Sequence, residues 1–302
     1  MKKRAAAALD DRLALAYAYC ERLAREHYEN FPVASLLLPA AMRPHIAAVY
    51  AFARRADDFA DEPGPDVPER LRLLDGWSAR LSRGSNGHAD EEHGSAPASG
   101  DDLIFRALEN TIARHSLPRS LFHDLLSAFR QDVVTTRYAT WADVLDYCRR
   151  SANPIGRLVL RIAGHDDARL DVQSDAVCTA LQLTNFWQDL GVDWTRGRLY
   201  VPLDDRDRAG ARDEDLDAGR FTTEWGAALL GREHEERVVE VGVASHYRVP
   251  PSTFLASGPS RMSSALERDL PPLRHRMARH ISAGASAAPS VGRWCTTSKP
   301  AS

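Results

Sequence analysis

Apolar and polar residues alternate with a helical period along most of the first 240 positions. LDDRLALAYAYCERLAREHYE at 9–29 predicts one helix, and residues 41–61 predict a second, stopped by PGPDVP at 63–68. Further helices are predicted at about 69–81, 102–115, 118–137, 140–163 and 171–192. NFPVASLLLP at 30–39 reads as a loop or helix start bounded by two prolines. SRGSNGHADEEHGSAPASGD at 82–101 has the composition of a mobile surface insertion. No stretch sustains the alternation of a strand, so the pattern predicts an all-α bundle.

The stretch AVCTALQLTNFWQDLGVD at 176–193 departs from ordinary amphipathicity. Val177, Ala180, Leu181, Leu183, Phe186, Trp187 and Leu190 spread apolar surface over nearly every face, which predicts a helix in the middle of the domain. Yet Gln182, Asn185, Asp189 and Asp193 recur at helical steps and stack on one side. A buried carboxylate needs a cation or a hydrogen-bonding partner. The stripe therefore either meets solvent or lines an internal cavity that holds a divalent metal.

A second acidic helix sits at 41–61. Ile46, Val49, Tyr50, Ala53 and Ala60 set its buried side. Tyr50, Arg54, Asp58 and Asp61 follow at helical steps, and Asp57 and Asp61 lie one turn apart, beside the apolar stripe. Alone, DDFADE also suits a solvated helix end. Paired with NFWQDLGVD, it describes two half-sites facing one another across a bundle core. Magnesium takes oxygen ligands, commonly one or two carboxylates plus substrate phosphates, and such a cavity suits a diphosphate. Neither half has His or Cys at ligand spacing, and the EF-hand spacing is absent.

Bulk properties narrow the alternatives. The chain has 302 residues, 44% of them hydrophobic, and a formal charge of −3, which argues against a nucleic-acid partner. Cys20, Cys148, Cys178 and Cys295 are scattered, which favours free thiols over a disulfide framework or a zinc site. The start, MKKR and a short apolar run, is too brief for a signal-peptide core, and no run of apolar residues is long enough to span a membrane. A cytoplasmic protein is expected, with peripheral membrane contact left open. Beyond residue 240 only Glu267 and Asp269 oppose eight Lys and Arg, and VPPS, SGPS and LPPL interrupt any period. The expected organisation is a helical domain over 1–240 and a divergent, partly disordered tail over 241–302.

YAFARRADDFADE at 50–62, ANPIG at 152–156, QLTNFWQDLGVD at 182–193 and RGRLYVP at 196–202 together resemble the squalene/phytoene synthase family, over about residues 13–235. Within it, NFPVASLLLP and ANPIG look most like the bacterial hydroxysqualene synthases of the hopanoid pathway. The resemblance implies an isoprenoid-synthase bundle with a central cavity. It implies Mg2+ ligands at Asp57, Asp58, Asp61, Asn185, Asp189 and Asp193, with Asp57, Asp61, Asp189 and Asp193 central to catalysis. Arg54 looks like a diphosphate contact, and Tyr50, Tyr147, Gly156, Gln182 and Tyr200 match cavity positions. The tyrosine rings could stabilise a carbocation or serve as plain core. Gly156 could mark a close-packing point, a kink where substrate passes, or an ordinary packing glycine. Arg198 could grip a phosphate or be an exposed loop arginine. Arg137 and Tyr138 fit the pattern without a firm role, and Trp187 reads as core.

The implied reaction is conversion of presqualene diphosphate to hydroxysqualene by ionisation, rearrangement and capture of water. Two alternatives stay open: head-to-head condensation of prenyl diphosphates such as farnesyl diphosphate, and a catalytically impaired prenyl-diphosphate-binding protein. The second draws on the tail, which lacks the family's closing helices and suggests divergence or an altered reading frame. Hand-off of product to other squalene-pathway enzymes is also left open.

Overall fold

The computed structural model describes residues 2–27, 38–84 and 99–229. The stretch 30–39, most of the loop at 82–101 and the tail at 241–302 fall largely or wholly outside those residues. Twelve helices are described: α1 (Lys2–His27), α2 (Arg43–Asp61), α3 (Val67–Arg83), α4 (Gly100–His115), α5 (Arg119–Val134), α6 (Trp141–Ser151), α7 (Asn153–Ile162), α8 (Ala168–Gln188), α9 (Leu190–Thr195), α10 (Leu203–Ala209), α11 (Asp213–Asp217) and α12 (Thr223–Leu229). Among the described residues the sole β feature outside helices is one parallel bridge between Arg137 and Leu199. The fold is all-α.

Local chemistry starts these helices where the sequence says. Pro44 at the beginning of α2 loses no hydrogen bond, because the first N–H groups of a helix have no partner anyway. The Asp66 carboxylate accepts the Glu69 N–H at 2.9 Å and caps α3. Ser99 with Asp102, and Thr140 with Asp143, form reciprocal capping boxes at α4 and α6. The predicted helix at 140–163 is two helices, α6 and α7, divided at Ala152. Pro154 explains the break, since it cannot donate and would crowd the carbonyl one turn back.

The central helix is α2, not the 176–193 stretch. It packs against α1, α3, α4, α5 and α7. Small residues allow this: Ala47, Ala48, Ala51, Ala53, Ala56 and Ala60 are all buried, so neighbouring backbones approach closely. Phe52 anchors the outer side, stacked on Trp77 at 5.6 Å and edge-on to Phe105 and Phe122. By contrast α8 buries Thr179, Leu183, Asn185 and Phe186, and it leaves Val172, Val177 and Leu181 exposed. Its polar stripe faces inward while part of its apolar surface faces out. The expected enclosure on every face is not met at Val177 and Leu181.

Candidate active site

The site grows from one face of α2. Ile46, Val49, Tyr50 and Ala53 repeat at steps of three, one and three, and Ile155, Leu158, Val159 and Ile162 repeat the same pattern on α7. The two stripes line a narrow apolar groove. One turn further along the same face of α2 come Arg54, Asp57 and Asp61. Apolar walls thus run directly into charge.

That charge is buried. Asp57 is 3% exposed, and Asp58 and Asp61 are half-buried, so the solvated-face alternative does not describe this helix end. Arg54 lies 2.8 Å from Asp58 and 3.7 Å from Asp57. Burial pushes the Asp57 carboxyl well above the carboxylate range, and the negative charges of Asp61, Asp132 and Asp58 add to the rise while Arg54 opposes it.

The second motif is folded differently from a continuous helix. α8 ends at Gln188, Asp189 adopts a non-helical conformation, and α9 carries Asp193. Asn185, Asp189 and Asp193 are all buried. Gln182 is half-buried on α8. After α9 the chain turns at Gly197, whose φ of +77° favours glycine, and runs extended through RGRLYVP. The Leu199 N–H donates to the Thr136 carbonyl at 3.0 Å. Arg137 clamps the turn, donating to the Gly197 carbonyl at 2.6 Å and lying 4.9 Å over the Trp194 ring. Alternation along an extended chain then sorts the side chains. Leu199 and Val201 enter a cluster around Trp225, while Arg198 and Tyr200 turn to the acidic centre.

Asp132, on α5, joins these parts, and the sequence reading missed it. It accepts from the Tyr147 hydroxyl at 2.6 Å and from the Tyr200 hydroxyl at 3.1 Å. Its backbone carbonyl lies 3.4 Å from Arg198 Nη2. A single Asp on an amphipathic helix looks like any solvated acid, so only QDVVTTRY as a block offered a signal. The tyrosines form a compact aromatic group: Tyr200 stacks on Phe186 at 4.0 Å and on Tyr138 at 5.4 Å, and Tyr147 lies 5.6 Å from Tyr200. Burial, then the charge of Asp132, raises the Tyr200 hydroxyl well above its usual value, so it remains a donor.

Arg198 is buried, not an exposed loop arginine. Its guanidinium pairs with both Asp61 oxygens, through Nη1 at 3.2 Å and through Nη2. Burial works against its charge, but the Asp61 pairing outweighs it and holds the pKa above normal. Gly156 faces α8 and not the groove: a Cβ there would stand 2.2 Å from Ser174 Oγ and 2.6 Å from Cys178 Sγ. Its neighbour Asn153 accepts the Thr179 hydroxyl at 2.9 Å, a second tie between α7 and α8.

Among the described residues no three acidic, His or Cys side chains converge tightly enough to hold a metal ion. Asp58 and Asp61 are instead paired with Arg54 and Arg198. The donor chemistry nevertheless fits a hard divalent cation. The candidate ligands are all oxygen donors, and the crowding that raises Asp57 is what a nearby cation relieves.

A helical bundle with an apolar groove, two buried acidic motifs and internal arginines defines a class: all-α proteins in which an apolar groove runs into buried charge. The chain belongs to the squalene/phytoene synthase family, whose model matches residues 24–236. It is 41% identical over 197 residues to the hydroxysqualene synthase of Zymomonas mobilis, covering 64% of this chain and 60% of that protein. It is 30% identical over 256 residues to the chloroplastic phytoene synthase 1 of Arabidopsis thaliana, covering 80% of this chain and 58% of that protein. The crystal structure of squalene synthase HpnC from Alicyclobacillus acidocaldarius superposes with a TM-score of 0.65 at 40% identity, over 76% of this chain and 81% of that one. The chain spans about 60% of the length of the hydroxysqualene synthases it matches.

Proposed function

We propose that this chain is a Mg2+-dependent enzyme acting on a prenyl diphosphate, and specifically that it converts presqualene diphosphate and water to hydroxysqualene and diphosphate. The observation that carries the reading is the run along one face of α2 from the apolar groove to Arg54, Asp57 and Asp61. A substrate with a long hydrocarbon body and a diphosphate head matches both ends of that face. Likeness to a hydroxysqualene synthase at 41% identity supports the particular reaction.

In this proposal Asp57, Asp58, Asp61, Asn185, Asp189 and Asp193 hold Mg2+. The cation, when bound, neutralises charge on the departing diphosphate. The rest of the chemistry belongs to the chain. Arg54 and Arg198 offer guanidinium groups to phosphate oxygens. The carbon–oxygen bond breaks and its electron pair leaves with the diphosphate. The resulting cyclopropylcarbinyl cation opens, and water adds to carbon and releases a proton. Ile46, Val49, Ile155, Leu158 and Val159 keep bulk water from the cation before rearrangement is complete. Tyr147 and Tyr200 donate their hydroxyls to Asp132 and so hold that carboxylate beside the acidic end. A helical domain over 1–240, peripheral membrane contact and hand-off to a later enzyme belong to the same proposal. Among the described residues no helix is long and apolar enough to cross a membrane.

The chloroplastic phytoene synthase likeness, which covers more of this chain, favours a second reading: condensation of two prenyl diphosphates. A product assay separates them. Purified protein with Mg2+ is given presqualene diphosphate or farnesyl diphosphate, with EDTA controls. Hydroxysqualene from presqualene diphosphate is expected. A C30 or C40 product from a simple prenyl diphosphate supports condensation, and no turnover by folded protein leaves the impaired-binder alternative. Asp189→Asn is expected to lower turnover by about 100-fold or more without unfolding the chain; a near-normal rate would remove the second motif from the mechanism.

A further inference from the structure

Arg198 is the residue through which the two acidic motifs are visibly tied. Its backbone N–H donates to the carbonyl of Asp193 at 2.8 Å, at the end of the second motif. Its guanidinium grips Asp61, at the end of the first, with Nη1 donating to Oδ2 at 3.2 Å and Nη2 to Oδ1. The Arg198 and Asp61 side chains are 10% and 14% exposed, so this is a largely desolvated pair held in forked geometry, not a surface contact. Asp132 adds to the field that favours the positive charge.

Such a pair conflicts with a metal at Asp61. Both carboxylate oxygens are occupied by the guanidinium, and a divalent cation brought beside a buried arginine meets like charge in a poorly screened place. Moving Arg198 away without a new partner leaves it buried and unpaired, which is costly. A diphosphate removes the conflict, because its oxygens accept the same fork.

We propose that Arg198 is the resident counter-ion of the acidic cluster: it competes with the divalent cation for Asp61 and transfers to the diphosphate when both ligands arrive. The inference rests on the reading of this site as a diphosphate site. Binding of cation and diphosphate is then positively coupled through one side chain, and coupling of this kind is reciprocal. The resting protein keeps Asp61 neutralised without a metal. The cation settles at Asp61 only when substrate is there to take the arginine.

Isothermal titration of Mg2+ into the purified full chain, with and without inorganic pyrophosphate, tests this. The wild type is expected to bind Mg2+ about 10-fold or more tightly when pyrophosphate is present, within the usual range of such couplings. The informative measurement is Mg2+ alone on Arg198→Gln. Loss of the competitor is expected to tighten that binding several-fold, whereas a residue that only contacts diphosphate would leave it unchanged. Arg198→Lys, with a single-pronged hold on Asp61, is expected to fall between the two and serves if the glutamine variant does not fold. Binding of Mg2+ alone that is no tighter in the folded variants than in the wild type overturns the proposal. The diphosphate reading survives that result if pyrophosphate still strengthens Mg2+ binding in the wild type. A wild type that binds neither Mg2+ nor pyrophosphate overturns the reading itself, and the counter-ion proposal with it.

Discussion

Asp57 shows how far a single residue of this site is from its most stable state. Its carboxyl is buried, and crowded by Asp61, Asp132 and Asp58, with Arg54 compensating only in part. A raised pKa in the folded state stabilises the fold at low pH and loses that contribution as pH rises through the raised value. As pH rises above the ordinary carboxylate range, burial of Asp57 therefore costs the metal-free protein stability. Asp57→Asn is expected to stabilise the metal-free chain by about 1 kcal/mol, the usual scale for relieving a functional site. The same change is expected to cut turnover by about 100-fold or more. Thermal melts in EDTA read the first effect and a product assay reads the second; a lower melting temperature for the variant would contradict that cost. The α2 acids were legible in the sequence because DDFADE adjoins an apolar stripe on a helix. Asp132 was not, because nothing local distinguishes an acid that accepts from two buried tyrosines from one that faces water.

At the scale of elements, the pattern of apolar residues gave the helices and misjudged their roles. The stripe at Gln182, Asn185, Asp189 and Asp193 was readable as one-sided, and Asn185, Asp189 and Asp193 are indeed buried. The inference that the whole stretch is enclosed fails at Val177 and Leu181. Conversely α2, rich in alanine, looked ordinary and turned out to be the packing centre, because small side chains record closeness and not hydrophobic bulk. Gly156 belongs to the same lesson. With Ser174 and Cys178 so near, Gly156→Ala must push α7 from α8 or turn both side chains aside. A loss of about 1–3 kcal/mol is expected, the ordinary cost of overpacking. Adding Ser174→Gly should recover part of it in denaturant unfolding. If Gly156 instead acted on substrate, the alanine variant would shift KM at unchanged stability.

Over the whole molecule, two buried groups at opposite ends of α2 pull the pH dependence of stability in opposite directions. Near the N-terminal end, His45 is enclosed with Tyr17 and Thr111, its Nδ1 2.9 Å from Thr111 Oγ1 and 3.0 Å from the Tyr17 hydroxyl. The His115 ring lies 4.4 Å away. Burial, with the charges of His115 and Arg114 adding to it, lowers the His45 pKa from 6.5 to about 4. The native state therefore refuses a proton that the unfolded chain accepts, so the His45 contribution is full above pH 6.5 and is lost as pH falls towards about 4. Asp57 does the reverse, since the native state takes a proton more readily than the unfolded chain and gains stability as pH falls. These opposed slopes should flatten the wild-type profile of melting temperature between pH 4 and 6.5 in EDTA. His45→Asn should remove the acid-side loss, and Asp57→Asn the loss towards neutral pH. The first variant then becomes relatively more stable as pH falls and the second as pH rises. Melting curves for the three proteins across that range decide the matter. Parallel profiles would mean that neither end of α2 governs how this bundle responds to acid.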